Sequence, residues 1–95
     1  MITQHQKEIL LQHLKPLNPA KVAIFGSYSR GENRDGSDLD VLVFLNDSHK
    51  VSLLDLAGVE LDLSDALGIK VDLVTERSLN PLVRPYVEKD LQFVS

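Results

Sequence analysis

The chain contains no cysteine and no tryptophan. Without cysteine it can form neither a disulfide nor a thiolate metal site. Aromatic residues are only 5% of the whole, and no aromatic clamp for a nucleotide base can be assigned. Basic charge is also scarce: 10 lysines and arginines face 14 aspartates and glutamates, for a net charge of −4. Direct, stable binding along a nucleic-acid backbone needs a basic stripe and is not expected here. No apolar run approaches the ~20 residues of a membrane span. The first residues, Met1 to Gln6, lack the basic and apolar regions of a signal peptide, so a cytoplasmic location is expected. Repeats, low-complexity segments and linkers are absent as well.

What is present is ordinary in amount. The 95 residues are 43% hydrophobic and 25% charged, the composition of a globular domain. The length predicts a single domain, residues 1–95, with one modest core. It leaves no room for a second domain to close over a substrate.

Thr3 and Gln6 have capping-box spacing, and Ile9, Leu10 and Leu14 share a helical face. A helix is predicted over about 3–14, ending before Pro16. Lys21 to Phe25 is short, apolar and partly β-branched, and reads as a buried strand ended by Gly26. Residues 26–37 are polar with three glycines, and a short helical turn is predicted after Ser27. Asp38 to Leu45 is a second strand, and 46–50 a loop. Ser52 and Asp55 form a second capping signal. The helix they open is expected to bury Leu54, Ala57, Leu61, Leu63, Ala66 and Leu67, and to end at Gly68. Ile69 to Val74 is a third strand. Asn80-Pro81 predicts a last helix over about 81–89. Leu91 to Val94 reads as a short strand or a tail. This order predicts an α/β (α+β) fold: a small mixed sheet of three to four strands with helices packed on it. Strands one and two are close enough in sequence to be antiparallel. The longer connection between strands two and three suits a parallel crossover.

Three features carry chemistry. Gly26-Ser27 follows a strand directly, where glycine allows close backbone approach and the following N–H groups can face an anion. Taken alone, such a pair is more often simply a turn. Asp38 and Asp40 are two apart on a strand and so share a face. Two carboxylates about 5 Å apart repel by roughly 3 kcal/mol at an effective dielectric near 20. A divalent cation reverses that sign, and all-oxygen ligation favours Mg2+ or Mn2+. The pair reads equally as solvated strand-edge residues. Asp72 stands alone inside an apolar strand, where a charge is rarely buried without a partner. If strand three flanks strand two, Asp72 reaches the face of Asp38 and Asp40. The competing reading is an ion pair, for example with Lys70.

The other candidates are weaker. His5, His13 and His49 lie in no ligand spacing. Tyr28 and Tyr86 could stack a base, though packing is the commoner use. Arg30 and Arg34 could contact phosphate or offset the acidic cluster.

Gly26-Ser27-Tyr28-Ser29-Arg30-Gly31 followed by Ser37-Asp38-Leu39-Asp40-Val41 resembles the signature of the minimal nucleotidyltransferases. These belong to the DNA polymerase β-like superfamily. The resemblance continues through the third strand and covers nearly the whole chain. Ser29 stands where alanine is common in the family. The resemblance implies that Gly26 and Ser27 hold the terminal phosphates of a nucleoside triphosphate, with Arg30 and Ser37 completing the nucleotide site. It implies that Asp38, Asp40 and Asp72 bind Mg2+ or Mn2+, with Asp72 the candidate base. The reaction expected is transfer of AMP from ATP to a hydroxyl.

Proteins of this size in the family resemble the antitoxin half of two-gene systems, whose partner is a helical HEPN-domain RNase toxin. That implies adenylylation of the partner, which would complete the cleft the short chain cannot close. Leu82, Val83, Tyr86, Leu91 and Phe93 are candidates for the surface between them, or for core. Two alternatives remain open: a module that neutralises a partner by contact, and a nucleotide sensor without turnover. A homo-oligomer is also compatible with the sequence.

Overall fold

The computed structural model describes residues 2–32, 34, 36–46 and 51–95. His49 and most of the 46–50 loop lie outside the described residues.

The first helix, α1 (Gln4–Leu14), starts at the expected capping box. The Gln6 backbone N–H donates to Thr3 Oγ1 at 3.1 Å, and the Thr3 N–H donates to Gln6 Oε1 at 2.8 Å. These bonds satisfy donors that a helix start leaves open. A 3-10 turn over Lys15–Leu17 follows, and Asn18 at φ 50° turns the chain into β1 (Pro19–Phe25). Asparagine is one of the few residues that takes this left-handed conformation readily.

The short helix α2 (Ser27–Arg30) leads through a loop to β2 (Leu39–Leu45). Ser52 and Asp55 form the second capping box, opening α3 (Leu53–Leu67), and Gly68 at φ 69° closes it. β3 is Val71–Thr75, shifted toward the C-terminus from its predicted span. The last helix, α4 (Arg84–Asp90), begins later than expected. Asn80 caps the turn before it, with Oδ1 accepting from the Leu82 N–H at 2.9 Å. Pro85 therefore falls in the first turn of α4, where no intrahelical N–H bond is required. β4 is Gln92–Phe93.

The four strands form one mixed sheet in the order β3-β2-β1-β4. β1 pairs antiparallel with β2 and β4, and β2 pairs parallel with β3 through the α3 crossover. Leu39, Val41 and Val43 of β2 point to one face and join Leu10 and Leu14 of α1 and Leu63 of α3 in the core. The alternation of a strand sends Asp40 to the opposite face.

One packing expectation is corrected. Leu54, Ala57, Leu61 and Ala66 are exposed, and the buried side of α3 carries Leu63 with Leu56, Val59 and Leu67 packed against the core. The helix has apolar residues on two sides, and the sheet takes the second.

Candidate active site

The sheet register assembles the acidic face. Asp40 pairs directly with Asp72 across the parallel β2–β3 ladder. Neighbouring strands lie about 4.8 Å apart, so the two side chains leave the same sheet face side by side. The ladder starts firmly, with the Leu39 N–H donating to Lys70 O at 2.8 Å.

Asp40 is half-buried, whereas Asp72 is exposed. Burial raises the proton affinity of Asp40 most, and the charges of Asp72 and then Asp38 raise it further. Arg30 works in the opposite direction. A carboxylate in this position gains from a cation beside it.

Asp38 precedes β2 and meets Lys70 Nζ at 3.7 Å. Lys70 is thus engaged with Asp38, not with Asp72 as the competing sequence reading had it. Both partners are largely solvated, so the pair contributes little stability. Among the described residues, no group of three or more His, Cys, Asp or Glu side chains is arranged to hold a metal ion as it stands. The donor chemistry nevertheless fits a hard divalent cation: the acids are all carboxylates, and two occupy one register position.

Gly26 borders this face because Phe25 pairs with Asp40. Its backbone lies at φ 74°, ψ −153°, a region that essentially only glycine occupies. A Cβ built there would overlap Asp40 Oδ2. Close phosphate approach is the demand on Gly26 that the sequence predicts; this second demand depends on the strand register and leaves no signal in the sequence. The turn carries the chain into α2, whose first N–H groups have no acceptor within the helix. Ser27 is the first residue of α2.

Arg30 lies at the end of α2, where its guanidinium meets Asp90 Oδ2 at 2.5 Å and Glu32 Oε2 at 3.3 Å. Ser29 Oγ donates to Asp90 O at 2.6 Å, with Gly26 O at 3.1 Å as a second oxygen within reach of the same proton. Asp90 thus ties α4 to the loop of the candidate site. No spacing in the sequence announces a contact between residues 60 apart. Ser37 closes the loop before Asp38: its Oγ accepts from the Arg34 N–H at 2.8 Å, and its own N–H donates to Arg34 O at 2.9 Å.

Tyr28 is buried in the core, which removes it as a base-stacking ring. Of the C-terminal apolar residues, Leu82 and Tyr86 are exposed at 81% and 75%, Val83 and Phe93 are also exposed, and Leu91 is half-buried. No helix among the described residues is long and apolar enough to cross a membrane.

Comparison with known proteins identifies the family of the chain. The profile of the nucleotidyltransferase domain matches residues 4–94. A protein of Methanocaldococcus jannaschii, provisionally named a protein adenylyltransferase, is 45% identical over 93 residues, which cover 93% of each chain. The protein adenylyltransferase MntA of Thermococcus cleftensis is 33% identical over 94 residues, covering 99% of this chain and 89% of that one. Among solved structures, a complex of an AMPylated HEPN toxin with its MNT antitoxin from Shewanella oneidensis matches with a TM-score of 0.78. That match has 22% identity and covers 99% of this chain and 72% of the other; at that identity it shows a shared fold.

Proposed function

Because the chain belongs to the nucleotidyltransferase domain family, matched over residues 4–94, we propose that it is a protein adenylyltransferase. It moves AMP from ATP onto a hydroxyl of a partner protein, and that partner is a HEPN-domain toxin. The observation that carries this reading is the register of Asp40 with Asp72 beside the Gly26 turn. The names of the two relatives and the toxin complex support the acceptor and the partner.

Asp38, Asp40 and Asp72 would hold Mg2+ or Mn2+. When bound, the cation would neutralise charge on the triphosphate and lower the pKa of the acceptor oxygen. The chain's own residues do the positioning. Gly26 lets the backbone come close to the terminal phosphates, and the N–H groups at Ser27 face them. Arg30 and Ser37 shape the loop between the phosphate turn and the carboxylates. The acceptor oxygen attacks the α-phosphorus, the bond to the β-phosphate oxygen breaks, and pyrophosphate leaves. The acceptor proton passes to the Asp72 carboxylate, which is exposed and free to meet a second protein. Positioning and charge stabilisation account for most of such a reaction.

The chain works as one domain in the cytoplasm, and the partner supplies the rest of the cleft. Leu82, Val83 and Tyr86 offer it an exposed apolar surface. Replacing both Leu82 and Tyr86 with aspartate is expected to weaken the complex at least about tenfold while ATP affinity stays unchanged. Calorimetry with the cognate toxin and with ATP measures both. Intact-mass spectrometry of that toxin, co-expressed with the chain, tests the activity: added AMP is expected, and an unmodified toxin contradicts it.

A second reading draws on the engagement of Asp38 with Lys70 and of Arg30 with Asp90. In it the chain neutralises its partner by contact alone. Neutralisation that survives loss of all three aspartates would select it.

A further inference from the structure

β3 is an edge strand of the sheet, flanked by β2 on one side only. In a parallel pair, alternate residues turn their backbone groups toward the neighbour. Lys70 O serves β2, so Val71 and Leu73 turn theirs outward. An open edge would leave these N–H groups to solvent or to another chain. Here the outward donors are met by side chains of α3. The Leu73 N–H donates to Glu60 Oε2 at 2.8 Å, and the Val71 N–H donates to Ser64 Oγ at 3.0 Å. The Ser64 hydroxyl in turn donates to Glu60 O at 2.9 Å. The two contacts are therefore joined through one turn of the helix.

The residue between the two clamped amides is Asp72. On its other side the ladder sets it against Asp40. We propose that Glu60 and Ser64 are positioning residues: they fix the amide N–H groups of the residues on either side of Asp72, Val71 and Leu73, and thereby hold the Asp72 carboxylate opposite Asp40. The inference rests on the reading of Asp72 as part of the cation-binding face. Glu60 does not touch the reacting atoms; it acts through the backbone of β3. A bond from a backbone N–H to a carboxylate is charge-assisted and among the stronger ones available. Groups that orient metal ligands in this indirect way typically matter by 10–100-fold in metal affinity.

The test uses the full chain and Mn2+ as the probe. Glu60→Gln keeps an acceptor for the Leu73 N–H, whereas Glu60→Met keeps the length and removes it. Glu60→Gln should leave Mn2+ affinity, followed by the free-ion EPR signal, within about twofold of the starting protein. Glu60→Met should weaken it by about tenfold, and exchange of the Leu73 amide should quicken by a similar factor. If Glu60→Met fails to fold, Ser64→Thr and Ser64→Ala supply the same comparison through the Val71 amide. The inference is overturned if Glu60→Met binds Mn2+ as the starting protein does while Asp72→Asn does not. It is also overturned if the lost acceptor produces only self-association, with Mn2+ affinity unchanged. An Asp72→Asn variant that binds Mn2+ normally would instead remove the cation reading beneath it.

Discussion

The Asp40→Asn variant should be more stable than the starting protein at neutral pH and at the same time lose adenylyl transfer by about 1,000-fold. Both effects come from the same crowding of charge. Burial, Asp72 and Asp38 raise the proton affinity of Asp40 in the folded chain. Between the ordinary aspartate pKa and the raised one, the folded state therefore binds more protons than the unfolded state. Stability falls as pH rises through that interval, and the full penalty applies above it. Asparagine keeps the shape and carries no charge, so the penalty disappears. The gain should be complete near pH 7, shrink as pH falls through the interval, and vanish below the ordinary aspartate range. Saturating Mg2+ should narrow it too, because a cation bound only to the folded starting protein stabilises that protein alone. Thermal unfolding of both proteins between about pH 3 and about pH 7 checks the sign. A variant less stable at neutral pH would show that Asp40 is not the strained carboxylate described.

The Gly26→Ala variant should lose about 3 kcal/mol of stability and bind Mn2+ more weakly by at least about tenfold. Two costs combine. The backbone at φ 74° and ψ −153° lies where a side chain is strained. The new methyl group would also overlap Asp40 Oδ2 and drive that carboxylate out of line with Asp72. Gly31→Ala is the natural comparison. Gly31 also has a positive φ, 72°, but a Cβ there meets nothing within 4 Å. It should cost about 1 kcal/mol and leave Mn2+ affinity alone. Denaturant unfolding with Mn2+ titration separates the two. Equal Mn2+ affinity in both variants would break the link between the Gly26 turn and the acidic face.

Much of this arrangement is legible in local sequence signals. Local signals carried the two capping boxes at Thr3 and Ser52, because those bonds join residues three apart. The mixed sheet followed from connection lengths: the short loop between β1 and β2 suits an antiparallel pair, and α3 suits a parallel crossover. Strand parity predicts Asp38 and Asp40 on one face; the structure sets Asp40 against Asp72 and leaves Asp38 just before β2.

What escaped was set by contacts distant in sequence. α3 offers one apolar row through Leu54 and Leu61 and another through Leu56, Val59, Leu63 and Leu67. Periodicity alone does not choose between them, and only the second meets the core. Asp90 reads as an ordinary acid near the C-terminus, and its hold on Arg30 depends on how α4 returns to α2. Glu60 likewise reads as a surface charge until β3 is seen to be an edge whose amides need acceptors. Gly26 signals a turn in the sequence. Its closeness to Asp40 needs the pairing of Phe25 with Asp40.

The most direct measurement of the central claim is transfer of label from ATP to the cognate HEPN-domain partner. ATP labelled at the α-phosphate should mark the partner in the presence of Mg2+, and ATP labelled at the γ-phosphate should not. The doubly substituted Asp38→Asn, Asp40→Asn chain should leave it unmarked while still folding. Undiminished α-label transfer by that variant would contradict the account, as would label arriving from the γ-phosphate.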